Sequence, residues 1–330
     1  MKKLKIGVLG ATGAVGQEML KILEEYDIPV EELRPLASAR SAGSLIRFQG
    51  RDVAIQAATE ESFEGLDFVL GAVEGDMSRR FAPAIRKSGA VYIDNSSAFR
   101  LEPDVPLVVP EINGADAFSN SGLIANPNCC TIIALMAVAG IEKLSPIEKM
   151  IVCTYQAVSG AGQAGIAELN EQMAALARGE EPEVKTFAAQ IAMNVIPFID
   201  APYGNDYTKE EMKMQNEGRR ILHSSELKVN CTCVRVPVYR SHSISFTAVT
   251  EDKVTVEQAR EAIINAEGTK LVEDHVPSPL ETSNQDIVYV GRIRADLCEE
   301  NGLAMWCCGD QIRKGAAANA VQIMEYLLSH

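Results

Sequence analysis

Gly10, Gly13 and Gly16 recur at every third residue, directly after an apolar stretch at residues 5–9 and directly before an amphipathic one that runs to about Glu25. Few folds accommodate that arrangement. The apolar stretch predicts a strand, and Val15, Met19, Ile22 and Leu23 fall on one face of a predicted helix. Glycines in a strand-to-helix turn have separate uses. The first permits the tight turn, the second lets a pyrophosphate approach the backbone, and the third lets helix and strand pack closely. The free N–H groups at the start of the helix then face the anion. The loop Gly10, Ala11, Thr12, Gly13, Ala14, Val15 and Gly16 is therefore predicted to cradle a dinucleotide.

Which dinucleotide depends on the end of the second strand. A site for plain NAD has an acidic side chain there to grip the ribose 2′-hydroxyl. Here Glu31 and Glu32 are read as preceding a strand at residues 33–37, and its end carries Ser38, Arg40 and Ser41. A guanidinium flanked by two hydroxyls suits a 2′-phosphate, so NADP is the expected cofactor.

The pattern continues with strands predicted at residues 53–56, 67–73 and 91–93, a helix at 78–87 and a short strand at 123–125. Strands alternating with helices predict a parallel sheet wrapped by helices, an α/β architecture of the Rossmann type. Beyond Pro127 the texture changes. Helices at about 130–140, 166–177 and 256–265 accompany strands at 149–158, 230–236, 243–250, 287–293 and 303–308. Residues 179–229 read as an irregular or helical excursion, and a last helix covers about 312–328. The expectation is a dinucleotide-binding domain of residues 1–127 and 312–330, joined to an α+β catalytic and dimerisation domain of residues 128–311. Its strands should be mostly antiparallel.

Composition narrows the function. The 330 residues carry a formal net charge of −14, a poor basis for coating nucleic acid or anionic lipid. Any anionic ligand must be held by local arginines, lysines or backbone amides. The longest apolar stretches, such as residues 131–141, fall well short of the roughly 18–20 residues of a membrane span, and no signal peptide is read at the start. A cytoplasmic protein with reduced thiols is expected. Of the eight cysteines, none has zinc-ribbon or redox-motif spacing, so no metal site is predicted and all but one are read as core thiols.

The exception is Cys129, in Asn126-Pro127-Asn128-Cys129-Cys130, where a strand ends and an apolar helix begins. Unpaired amides at a helix start stabilise a thiolate, and the same amides can hold the oxyanion formed when sulfur attacks a carbonyl. Asn128 adds a carboxamide beside it, and Cys130 should face the interior. Among four histidines, His242 stands where one β run ends and another begins, and it is the candidate proton-handling partner. His275 reads as a surface-loop residue, His223 follows a charged helix and His330 ends the chain.

From end to end the sequence resembles the aspartate-β-semialdehyde dehydrogenases. The resemblance rests on the glycine loop, Ser96-Ser97-Ala98-Phe99-Arg100, Asn126-Pro127-Asn128-Cys129, Tyr155-Gln156-Ala157-Val158-Ser159-Gly160-Ala161-Gly162, Glu210-Glu211-Met212-Lys213, Arg235 through His242, and Arg313 through Asn319. It implies NADPH-dependent reductive dephosphorylation of L-aspartyl-4-phosphate, a step toward lysine, threonine, methionine and isoleucine. Cys129 would form the thioester, His242 would be the acid/base and Gln156 would orient the acyl group. Arg235 would bind the α-carboxylate and Glu210 the α-ammonium. Arg100, Lys213 and Asn128 would bind the phosphate. Ser159, Gly160 and Asn319 would join the cofactor contacts. A homodimer is implied, with the pairing of dimers into tetramers left open.

The chain departs from the family pattern at three places. Glu74 and Asp76 stand in a loop that is usually small and Ser/Gly-rich, Gln311 replaces a usual Asn, and Ala318 a larger apolar residue. Other acyl-phosphate reductases, such as those acting on N-acetylglutamyl phosphate or on a sugar phosphate, are the enzymatic alternative. They have no use for Glu210 or for Arg235, respectively. A catalytically silent NADP-binding relative would be expected to lose the thiol or the histidine, and both remain.

Overall fold

The computed structural model describes residues 3–330, which divide into two compact units. The first comprises the chain up to Asn128 together with Ala316–His330, and the second is Cys129–Gly315.

In the first unit β1 (Leu4–Leu9) leads through the glycine turn into α1 (Ala14–Glu25), then β2 (Val30–Ala37). A hairpin of β3 (Leu45–Phe48) and β4 (Arg51–Ala54) precedes β5 (Gln56–Ala57), β6 (Phe68–Gly71), α2 (Gly75–Lys87), β7 (Val91–Asp94), the one-turn α3 (Pro110–Asn113) and β8 (Leu123–Ala125). The sheet has the order β5-β2-β1-β6-β7-β8, all parallel. That is the doubly wound dinucleotide-binding order, and its reversal falls between β1 and β6, where ligands bind at the carboxyl ends of such strands. Met19, Ile22 and Leu23 of α1 pack with Ile6, Val8, Val321 and Met324 in a single core.

Two sequence readings are corrected here. Residues 53–56 do not form one sheet strand. Gln49 and Gly50 both have positive φ, the geometry of a tight hairpin turn; Val53 and Ala54 pair locally with β3, and Gln56 belongs to β5 beside β2. Glu31 and Glu32 lie within β2 and not ahead of it, and Glu32 is occupied by Arg34 at 2.5 Å.

The second unit opens with α4 (Cys129–Glu142), buried continuously from Cys130 to Ile141. It continues with β9 (Ile147–Gln156), α5 (Gly162–Ala177), α6 (Lys209–Ile221), β10 (Lys228–Arg235), β11 (His242–Thr250), α7 (Val256–Ile264), β12 (Thr269–Val272), the one-turn α8 (Pro279–Thr282), β13 (Val288–Ala295) and β14 (Gly302–Gly309). The sheet order is β10-β9-β11-β14-β13-β12. Its three central pairings are antiparallel and the two outer ones parallel, so the sheet is mixed. Helices α4, α6 and α7 form one layer against it. Gly140 lets α4 and α7 touch, since a Cβ there would lie 2.4 Å from the Ala262 carbonyl.

The predicted last helix is also corrected. Residues 313–317 form a π turn, and α9 (Ala318–Ser329) starts after it. Gly315 in that turn comes so close to Cys129 that an added Cβ would lie 2.8 Å from the Cys129 Cβ. No helix among the described residues is long and apolar enough to cross a membrane.

Candidate active site

The glycine turn has the predicted steric logic. Gly10 has φ +91°, and a Cβ on it would meet the Ala72 carbonyl at 2.3 Å; one on Gly16 would meet the Gly10 carbonyl at 2.2 Å. Gly13 differs, because a Cβ there would meet only the Gly10 oxygen, at 3.5 Å. Internal packing leaves open space at Gly13, where the absence of a side chain serves an approaching anion. Ser38, Arg40 and Ser41 form a short turn after β2, and exposed Arg40 has no hydrogen bond or ion pair among the described residues. Glu74 and Asp76 are exposed at the start of α2, where carboxylates complement the helix dipole, so neither is a desolvated charge.

Also in the first unit, buried Asp94 accepts hydrogen bonds from Tyr92, from the Ser96 hydroxyl and from the Ser96 amide. This shapes the turn that carries Arg100. The Arg100 guanidinium donates to the Asn126 carbonyl at 2.9 Å and the Asn95 carbonyl at 2.7 Å. Asn319 is fully buried, donating to Asn126 Oδ1 at 2.7 Å and to the Val108 carbonyl at 3.0 Å. Arg100 and Asn319 are thereby both tied to Asn126.

In the second unit Cys129 is the first residue of α4, with Cys130 and His242 beside it; one ligating atom from each lies within 4.8 Å of the others. The Cys129 thiol is held well below its ordinary pKa. A hydrogen bond from Cys130 is the main cause; burial opposes it, and His242 lowers the value further. Burial and the neighbouring sulfur push Cys130 the other way, so one thiol of the pair stays protonated as donor to the other. Sequence reasoning placed Cys130 in the packed interior, and it is buried there, but that reasoning missed this role.

The other predicted residues of this unit come from four elements. Gln156 ends β9 and donates to Glu210 Oε1 at 3.2 Å. Glu210 lies in the first turn of α6, which Thr208 and Glu211 cap reciprocally, and its other oxygen accepts from Lys213 at 2.8 Å. Lys213 also meets Asp200 at 3.0 Å. Burial works against the lysine charge, and Glu210 and Asp200 more than offset it, raising its pKa above the ordinary value. Arg235 ends β10, donates to the Ala157 carbonyl at 2.7 Å and lies over the Phe187 ring. Its pKa is pulled down by burial against the opposing effect of Glu210. His242 opens β11, is 0% exposed, and accepts at Nδ1 from the Ala157 N–H at 3.0 Å. Gly160 leaves room for both, because a Cβ there would lie 2.7 Å from Arg235 Nη1. Ser159 is buried in the same loop.

The other histidines and thiols lie elsewhere. His275 is an exposed partner of Asp274 and Glu281, and His223 follows α6. Cys231 and Cys233 are buried on β10 with sulfurs 3.7 Å apart, whereas Cys298 is exposed, against the core reading given to it. Cys298 sits in the turn between β13 and β14, where Asp296 accepts its amide.

A dinucleotide loop in one unit and an acidified thiol with an imidazole in the other define a nucleotide-dependent dehydrogenase that works through sulfur. Residues 5–120 match the family model for the NAD binding domain of semialdehyde dehydrogenases, and residues 138–314 match that for their dimerisation domain. The aspartate-semialdehyde dehydrogenases of Prochlorococcus marinus and Synechocystis are each 46% identical to this chain, over 99% and 98% of it respectively and 97% of their own lengths. The crystal structure of aspartate semialdehyde dehydrogenase II from Vibrio cholerae, complexed with ASA, superposes with a TM-score of 0.98 at 42% identity, over 100% of this chain and 99% of that one. The chain belongs to the aspartate-semialdehyde dehydrogenase family.

Proposed function

We propose that this chain catalyses NADPH-dependent reduction of L-aspartyl-4-phosphate to L-aspartate 4-semialdehyde and phosphate, through a thioester on Cys129. The observation that carries the reading is the sulfur at the start of α4, with a protonated thiol and an imidazole within 4.8 Å of it.

The Cys129 thiolate attacks the acyl phosphate, and α4 amides together with His242 stabilise the oxyanion until phosphate leaves. NADPH, when bound, supplies the hydride that reduces the thioester. Collapse of the resulting hemithioacetal releases the aldehyde and restores the thiolate. Arg235 presents a planar fork to the α-carboxylate, and its tie to the Ala157 carbonyl fixes the fork's direction. Glu210 faces the α-ammonium, and Gln156, braced on Glu210, orients the acyl group. Arg100 and Asn128 receive the phosphate. Lys213 reaches it from a site already shared with two carboxylates. The glycine loop and the amides of α1 hold the pyrophosphate, Arg40 with Ser38 and Ser41 the 2′-phosphate, and Ser159, Gly160 and Asn319 complete the cofactor contacts. The working form is a cytoplasmic homodimer.

The test is phosphate-dependent reduction of NADP and of NAD by the purified protein, with aspartate semialdehyde and N-acetylglutamate semialdehyde compared as substrates. Aspartate semialdehyde with NADP should be the preferred pair. Equal or better turnover of the acetylated aldehyde would overturn the substrate assignment.

A further inference from the structure

Between α5 and α6 the chain runs through residues 178–208 without forming a helix or a sheet strand. Backbone groups in so irregular a segment need partners from elsewhere. Two side chains of α5 supply them. Glu168 and Gln172, one turn apart on the helix, are 2% and 0% exposed. Gln172 Oε1 accepts from the N–H groups of Ile191 at 2.9 Å and Ala192 at 3.0 Å, and its Nε2 donates to the Glu183 carbonyl at 2.9 Å. The same nitrogen donates to Glu168 Oε1 at 2.9 Å, so every hydrogen-bonding position of the carboxamide is used. Glu168 in turn accepts from the amides of Lys185 and Thr186. The pair therefore fixes the backbone on both sides of Phe187.

What lies under that ring is Arg235, whose guanidinium carbon stands 5.8 Å from the ring centroid. Gly165 of α5 leaves room for the ring, since a Cβ there would lie 3.0 Å from Phe187 Cζ. Further along the same segment, Ile196 exchanges backbone hydrogen bonds with Arg235 at 2.8 and 2.9 Å. A guanidinium donates from its edges and stacks through its faces. Here the Ala157 carbonyl takes an Nη1 hydrogen at 2.7 Å while the ring covers a face. Both contacts fix the plane in which the fork points.

We propose that Phe187 is a positioning residue for Arg235: seated by Glu168 and Gln172, it fixes the plane of the guanidinium and keeps water from its face, and so sets the preference for an aldehyde that carries an α-carboxylate. The inference rests on the reading of Arg235 as the carboxylate-binding residue. Attraction between the two charges is stronger where water is excluded, so covering the guanidinium face favours the carboxylate. Because the ring acts through Arg235, an aldehyde that lacks the carboxylate should not feel its loss.

Substrate comparison tests this. Phe187→Leu keeps an apolar side chain against Leu169 and Ile191 and removes the ring face. In it, KM for aspartate semialdehyde should rise about ten-fold, the order of a cation–π contact away from water, with kcat and the KM for phosphate little changed. The kcat/KM for 3-aminopropanal, which keeps the amine and lacks the carboxylate, should be unaltered. An equal loss with both aldehydes, or an unchanged KM for aspartate semialdehyde, would overturn the proposal. Gln172→Leu should show the same selective rise. A Gln172→Leu protein with wild-type melting temperature and wild-type KM would overturn the part given to the clamp. The seating itself is read in the wild type, without turnover. In protein labelled on arginine and phenylalanine, with Arg235 assigned by its loss in Arg235→Lys, nuclear Overhauser contacts should join the Phe187 ring protons to the Arg235 side chain. Their absence would also overturn the proposal. If the wild-type protein did not turn over aspartate semialdehyde, the functional reading would fail, while these contacts would still decide whether the ring seats on Arg235.

Discussion

Two adjacent thiols at the start of a helix are electrostatically unequal, and the inequality in this chain has a direction. Cys130 is the buried donor and Cys129 the acceptor, so removing the donor should make Cys129 a weaker acid. Because the Cys129 pKa lies below the ordinary thiol value of about 8.5, its alkylation by iodoacetamide should persist on the acid side of that value. Cys130→Ala should move the midpoint upward, and Cys129→Ser should abolish the reaction. An unchanged midpoint in Cys130→Ala would show that His242 and the helix amides suffice alone. Arg40 poses the cofactor question in the same terms. It is exposed and uncommitted among the described residues, so its charge is available to a 2′-phosphate. A hydrogen bond to a charged group contributes about 1.5–3 kcal/mol, so Arg40→Ala should weaken NADP binding by roughly ten-fold or more and leave NAD binding nearly unchanged. Titration of both cofactors by fluorescence decides it, and equal loss for the two would place the phosphate elsewhere.

At the scale of elements, the π turn at residues 313–317 is where sequence reading and structure part most usefully. Arg313 through Asn319 has the composition of a helix start, and periodicity predicts α-helix from about residue 312. What periodicity cannot carry is the nearness of Cys129, which excludes any side chain at Gly315. Gly315→Ala should therefore push the turn away from the first residue of α4. A small-to-large change of this kind costs about 1–3 kcal/mol, read as a lower melting temperature, and Cys129 alkylation should change with it. A variant that melted normally with unaltered alkylation would show that the turn yields without disturbing the thiol. The glycine loop, by contrast, was legible because its spacing is local: three glycines between a strand and a helix stand within seven residues, although Gly10 also answers to the distant Ala72 carbonyl. The nucleophile was legible for the same reason, since a thiol at a strand-to-helix junction needs no distant partner to be noticed. The role of the Ala157 amide was hidden, because its bond to His242 joins residues far apart in sequence that the pairing of β9 with β11 brings together. Likewise the β3–β4 hairpin escaped notice because Gln49-Gly50 is a turn only if Gln49 accepts a positive φ.

For the whole molecule, the question left by the second sheet is what its other face meets. With α4, α6 and α7 packed on one side, alternation along β9 turns Met150, Val152 and Thr154 inward and leaves Ile151, Cys153 and Tyr155 on the open side. Ile151 is 48% exposed, and the chain's one tryptophan, Trp306, stands half-buried beside Tyr155 with ring centroids 5.5 Å apart. Ser245 and Thr247 from β11 lie on the same face. An antiparallel sheet can present one face to water, but that face is then polar, and isoleucine, tyrosine and tryptophan together are not. A second copy of the chain is the occupant that the match to a dimerisation domain supplies. Ile151→Lys would place a charge where the partner excludes water, a burial that is strongly unfavourable without a counter-charge. The variant should sediment as a monomer at concentrations where the wild type is dimeric. Trp306 emission should shift to the red as the face becomes wet, and NADP binding by the first unit should be retained. An Ile151→Lys protein that remained dimeric with unshifted emission would move the dimer contact off this face, to the exposed apolar side chains Met193, Val195 and Phe198 of the excursion between α5 and α6.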